Sequence, residues 1–194
     1  MRDARHDREA AAGLPPGDVI GVLLAQHSRI RELFDAVRDG PADRREERFL
    51  ELRVLLAVHE TAEEMIVRPV VRKIGGERQA AARDKEEKEA ARALAGLEKL
   101  DFGSARFTAA FTDFERAVHE HADLEEREEF PSLLRLCTPE ELVRMGARLL
   151  AVEKAAPTRP HPSTTGSAAA QWALGPFAAL LDRVRDAIGS ASRH

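Results

Sequence analysis

Two short segments of the chain carry the same set of metal-binding side chains. His59-Glu60-Thr61-Ala62-Glu63-Glu64 and His121-Ala122-Asp123-Leu124-Glu125-Glu126 each place a Glu four residues after a His, with a second Glu next to it. In each segment a proline stands ten residues after the His, at Pro69 and Pro131. On a helix, His and Glu four apart share one face and can reach the same ion. The imidazole supplies a nitrogen donor, and a carboxylate can bridge two cations at the roughly 3.5–4 Å spacing of two-metal sites. One such pair is an ordinary surface contact worth about 0.2–0.5 kcal/mol. Two matched copies, each followed by the same Glu and Pro, point to chemistry.

The elements that must position these groups are helices. Ala, Leu, Glu and Arg dominate, 33% of residues are charged, and only 5% are aromatic, with no Tyr. A first helix begins near Asp18 and stops at Asp39-Gly40-Pro41. A second runs from about Asp43 to Gly75-Gly76, with a kink expected at Pro69. A third runs from about Glu77 to Leu100. A fourth starts at Ser104 and reaches Leu136, with a kink expected at Pro131. Thr138-Pro139-Glu140-Glu141 starts a fifth, with Thr as cap, Pro at the first helical position and Glu three residues after the cap. Short connections make the first four helices antiparallel neighbours, an all-α up-and-down four-helix bundle with additional C-terminal helices. Residues 1–17 read as a disordered tail and 18–154 as the bundle. Residues 155–194 read as a linker followed by a short amphipathic helix, Phe177 to Ile188, which Trp172 helps to anchor.

Every helix of the bundle carries ionisable groups on its apolar stripe. His27 completes Ile20, Leu23, Ile30, Phe34 and Val37. His59 and Glu63 lie among Phe49, Leu52, Leu56, Ile66 and Val70. His121 and Glu125 lie among Phe107, Phe111, Phe114, Val118 and Ser132. Glu86 and Glu87 stand one turn before Ala90, Ala91, Leu94 and Leu97. An unpaired buried carboxylate costs several kcal/mol, on the order of a domain's whole stability. A metal cation compensates imidazoles and carboxylates that face inward from four helices. Glu64 and Glu126 sit about 100° round from the ligand face and read as groups that back the ligands or as solvent-side partners for Arg and Lys. His119 points away from that face and is expected to be exposed. His6, His161 and His194 fall in tails or linker, and Cys137 reads as a packed small residue.

Net charge is −4, with basic and acidic residues interleaved, so no nucleic-acid or membrane partner is implied. No apolar stretch is long enough to span a bilayer, and the charged MRDARHDREA start lacks the apolar core of a signal peptide. A single Cys excludes an internal disulfide and a multi-thiolate zinc site. The chain reads as cytoplasmic.

From about Asp18 to Lys154 the sequence resembles the hemerythrin-like (HHE cation-binding) family. The resemblance rests on His27, the two His-x-x-x-Glu motifs and the Glu-Phe-Pro segment ending at Pro131. Ala156-Pro-Thr-Arg-Pro-His-Pro162 also looks like the stretch that follows the bundle in bacterial members. The resemblance implies a non-heme centre of two Fe ions, bridged by two carboxylates and an oxo or hydroxo oxygen. It also implies His27, His59, Glu63, His121 and Glu125 as ligands, and O2, H2O2 or NO as small partners. The family usually has a histidine in its third helix, but no His lies between His59 and His119 here. Counting back from Leu94 puts Glu87 in its place, with Glu86 as the competitor. A Glu-bearing third helix resembles a subgroup of actinobacterial hemerythrin-like proteins. Three His and three carboxylates, hard and anionic, favour the ferric state over reversible O2 carriage. They suit peroxide or nitric oxide chemistry better. A sensor or binding module, or a bundle holding zinc, manganese or no metal, are the competing expectations.

Overall fold

The structure, a computed structural model, describes residues 3–155, 179 and 181–186. It is a bundle of helices, with no strand among the described residues. In chain order the helices are α1 (Ala4–Ala12), α2 (Val19–Asp39), α3 (Ala42–Ala62), α4 (Arg68–Lys73), α5 (Glu77–Leu97), α6 (Ala105–Leu124), α7 (Phe130–Leu136) and α8 (Pro139–Ala155). Two five-residue π turns interrupt the series. Glu63–Val67 joins α3 to α4, and Glu125–Glu129 joins α6 to α7. Four rods result: α2, α3 with α4, α5, and α6 with α7. α2 packs on α3 and α6, and α5 packs on α4 and α6.

The helix ends follow their local chemistry. The Asp18 carboxylate accepts the Ile20 amide at 2.8 Å, and the Ser104 hydroxyl accepts the Phe107 amide at 3.1 Å. Thr138 and Glu141 form a reciprocal capping box. The Thr138 amide donates to Glu141 Oε2 at 2.9 Å, and the Glu141 amide to Thr138 Oγ1 at 3.3 Å.

Three sequence expectations need correction. Proline at 69 and 131 does not simply kink a helix. Proline has no N–H and its ring crowds the preceding turn. The chain answers with a wide turn, in which the Arg68 and Phe130 amides reach back five residues to the Glu63 and Glu125 carbonyls. The extra residue moves the downstream stripe on by one. Val71 and Leu133 are buried there, while the expected Val70 and Ser132 are only half-buried.

The second correction concerns the tail, where α1 replaces the expected disorder. Asp3 caps α1 by accepting the His6 amide at 2.9 Å, and the helix packs on α2. Asp7, fully buried, accepts from Arg31 Nε at 2.9 Å. The third concerns His119. It faces away from the ligand face but is 8% exposed, edge-on to Phe34 with ring centroids 5.4 Å apart, because α2 covers that side of α6. The linker, Trp172, His161, His194 and both ends of the expected Phe177–Ile188 helix lie outside the described residues. Residues 181–186 are helical, and Val184 is buried in the core.

The core is divided. One apolar cluster, built on Phe34, Phe49, Phe107, Phe111 and Phe114, ends at Ile30 and Val58. The other, built on Leu23, Ile66, Val67, Phe130 and Leu133, ends at Leu24 and Ala62. His27 and His59 stand in the gap. No helix among the described residues is long and apolar enough to cross a membrane.

Candidate metal centre

The gap between the clusters collects all six residues singled out from the sequence. His27, His59, Glu63 and Glu125 bring one donor atom each within 4.8 Å of one another, and so do Glu63, Glu87, His121 and Glu125. The two sets share Glu63 and Glu125. α2 supplies His27 and α5 supplies Glu87. Each shared Glu opens a π turn, one turn after the His of its own rod. All are buried except Glu87, whose side chain is 13% exposed.

The three rings are oriented alike. His27 Nδ1 donates to Glu126 Oε1 at 2.8 Å, His59 Nδ1 to Gln26 Oε1 at 2.9 Å, and His121 Nδ1 to Glu86 Oε2 at 2.9 Å. An oxygen acceptor on Nδ1 fixes each ring's direction and leaves Nε2 facing the gap, the arrangement in which proteins hold metal-ligating histidines. His27 Nε2 is 3.5 Å from Glu125 Oε2, His121 Nε2 is 3.2 Å from Glu125 Oε1, and His59 Nε2 is 3.9 Å from Glu63 Oε2. His27 Nε2, His121 Nε2, Glu63 Oε2 and Glu125 Oε2 are buried with no hydrogen-bond partner. Buried polar atoms are nearly always partnered. Four such orphans converging on one gap fit a cation, and nitrogen and carboxylate oxygen together suit a first-row metal.

The charges agree. Burial, and then the neighbouring Glu125, pushes Glu63 well above the usual carboxylate range. Burial opposes the charge on Glu125 too, but the His121 and His27 rings facing it hold it well below that range. Two touching carboxylates cannot both stay ionised unless something positive intervenes. Burial, reinforced by His27, lowers His59 to about 3, so its imidazole is neutral, the form a metal needs.

Residues that the sequence reading missed complete the centre. Gln26 orients His59. Glu86, considered only as an alternative ligand, orients His121, while Glu87 enters the donor cluster. Phe130 stacks on His27 at 5.8 Å. Arg68, with no exposed surface, donates from Nη1 to both oxygens of Glu129 at 2.8 and 2.9 Å and from Nη2 to Glu87. Its Nη2 also lies 3.5 Å from Glu125 Oε1 and 3.7 Å from Glu63 Oε2. One signal could have found Gln26 and Glu86: each directly precedes the ligand candidate of its own helix.

Residues 18–133 match the family described as the hemerythrin HHE cation-binding domain. The chain belongs to this family. An uncharacterized hemerythrin-like protein of Schizosaccharomyces pombe (strain 972) is 28% identical over 134 residues, covering 68% of this chain. The alignment spans 66% of that relative's length. No solved structure matches the chain significantly. The hemerythrin-like match runs from the Asp18 cap through Leu133, so it contains every residue of the two donor sets.

Proposed function

We propose that the protein is a non-heme di-iron protein that reacts with peroxide, nitric oxide or O2. The observation that carries this reading is the overlap of the two donor sets at Glu63 and Glu125. A single-ion site needs one set, whereas two sets joined by two carboxylates suit a bridged pair. His27 and His59 would hold one ion, His121 and Glu87 the other. Bound iron would supply redox chemistry and a coordination position for a small ligand.

The protein's own groups set the ligand's size and surroundings. A void of about 10 Å³ touches His27, His59, Glu60 and His121, close to the space one water needs. It leaves little room beside the donors, which favours a ligand of few atoms. A cavity of about 280 Å³ between α3, α5 and Leu181 also reaches Glu60 and Glu87, offering a route from outside. Glu60 Oε2 is buried without a partner on the wall common to both. Burial, and then the Glu87 charge, raises Glu60 to about 8, so it can stand protonated beside the void as a hydrogen-bond donor.

The test is metal analysis of protein purified without added metal, followed by iron loading, near-UV spectroscopy and assays of H2O2, NO and O2 consumption. Two irons per chain, ligand-to-metal charge-transfer absorption and turnover of one of these molecules are expected. Tight zinc or a single ion per chain would overturn the di-iron reading. An iron-loaded protein inert to all three molecules would overturn the reactivity.

A further inference from the structure

The two halves of the centre are related position by position. His59 and Glu63 of the first motif correspond to His121 and Glu125 of the second, Pro69 to Pro131, and one π turn to the other. The ring of His59 is held by Gln26, the residue before His27. The ring of His121 is held by Glu86, the residue before Glu87. His27 and Glu87 are therefore counterparts. The residue before each proline extends the correspondence, because Phe130 stacks on His27 and Arg68 bonds Glu87. One residue earlier, Glu129 pairs with Arg68, and its counterpart is Val67, buried in the same apolar cluster as Phe130.

One half thus holds an imidazole, an aromatic ring and an aliphatic side chain. The other holds a carboxylate, a guanidinium and a second carboxylate at the matching places. The difference lies in all three positions, not in Glu87 alone. A bare carboxylate substituted for an imidazole adds a negative charge to a region that already contains Glu63 and Glu125. A fully buried guanidinium forked between Glu87 and Glu129 offsets part of the added charge and fixes the carboxylate's direction.

On the basis of the two-metal reading, we infer that Arg68 is the positioning residue for Glu87, and that Arg68, Glu87 and Glu129 act as one unit whose members are exchangeable together but not singly. Arg68 touches no reacting group. It acts by holding Glu87 toward the second ion and by neutralising it. Replacing Arg68 alone leaves Glu87 and Glu129 as unpaired carboxylates. Replacing Glu87 alone by His sets an imidazole against a guanidinium. Replacing all three by their counterparts rebuilds the pattern of the other half.

The experiment titrates Co2+ into metal-free full-length protein, reading stoichiometry and stepwise affinity by calorimetry and the visible cobalt bands. Circular dichroism monitors the fold. Wild type is expected to bind two Co2+. R68F and E87H should each weaken the second ion about tenfold or more, the effect typical of groups that orient metal ligands. R68F/E87H/E129V should return to within about threefold of wild type, because coupled neighbours are not additive. A triple variant no better than its worst single parent overturns the inference. So does an R68F protein with unchanged second-ion affinity. Should R68F not fold, R68K keeps the charge without the fork; a loss of about threefold or more supports the unit, and unchanged affinity overturns it. Wild type binding one Co2+ would overturn the two-metal reading and this inference with it. Two ions with no coupling among the variants overturns this inference alone.

Discussion

Replacing Gln26 by Leu should separate the metal centre from the stability of the fold. Gln26 is 3% exposed, and its Oε1 accepts from His59 Nδ1 at 2.9 Å, while its Nε2 is buried without a partner. Leu has nearly the same shape. It removes the acceptor, leaving the Nδ1–H of His59 unpaired, at about 1–3 kcal/mol. It also removes the orphaned amide nitrogen, which carries a penalty of the same size, about 1–3 kcal/mol. The two effects offset each other, so the metal-free protein should unfold within about 1 kcal/mol of wild type. Metal binding has no such offset. His59 loses the partner that fixes its tautomer and angle, and affinity should fall about 10–100-fold. Urea unfolding of the metal-free protein and calorimetric titration of Co2+ read the two quantities separately. Glu86→Ala is the matched comparison. Glu86 has the same role for His121, but its side chain is 34% exposed, so water can replace it and the loss should stay within a few-fold. The reasoning is refuted if Gln26→Leu loses as much stability as affinity, or if Glu86→Ala weakens binding more than Gln26→Leu does.

Three further outcomes are expected. On the proposed two-ion reading, Glu63→Gln removes a carboxylate shared by both donor sets, so metal content by elemental analysis should drop from about two ions per chain to one or none. Because Glu63 is pushed up toward its protonated form without metal, neutral Gln should leave the metal-free melting temperature nearly unchanged. Asp7→Ala breaks the buried pair with Arg31, which keeps Asp123 at 3.0 Å. Denaturant unfolding should show a loss of about 3 kcal/mol, the low end for a broken buried pair, and a loss below about 1 kcal/mol would contradict the docking of α1. A Cβ added at Gly146 would fall 2.0 Å from the Gly17 carbonyl oxygen and 2.9 Å from the Val19 nitrogen, both backbone. Gly146→Ala should therefore cost about 1–3 kcal/mol in thermal unfolding while leaving metal stoichiometry intact.

The bundle and the donors that lie upstream of the prolines were legible because they obey an unbroken 3.6-residue period. Five of the six expected ligands stand in α2, α3 and α6 or at the first residue of a π turn, before the period is disturbed. Arg68 and Phe130 were not legible, for one shared reason. Each comes nine residues after its His. In a regular helix that is about 180° away, on the side facing solvent. A π turn spends one extra residue, so the ninth position behaves as the eighth and swings to about 80°, beside the ligand face. The same one-residue shift exchanges Val70 for Val71 and Ser132 for Leu133 in the core. Glu86 and Glu87 could not be separated by periodicity, because adjacent residues both border a stripe. The difference comes from which neighbouring rod each one faces. α1 was missed because its composition is that of a solvated tail, and its buried residue, Asp7, bonds Arg31, 24 residues further on.

The π turns also explain why the centre can tolerate so many carboxylates. Each turn begins at a shared Glu and is closed by the amide of the residue before a proline, so the motif that supplies a shared carboxylate also delivers the side chain that answers the neighbouring half. In one motif that side chain is aromatic and faces an imidazole. In the other it is a guanidinium and faces a carboxylate. The charge of Glu87 is met inside the protein before any metal binds, whereas the conflict between Glu63 and Glu125 is not. Arg68 approaches that pair no closer than 3.5 Å and is committed at shorter range to Glu129 and Glu87. Without metal, burial and that conflict push Glu63 toward its protonated form beside Glu125. A cation entering either set lets Glu63 ionise beside Glu125, so metal binding should release a proton.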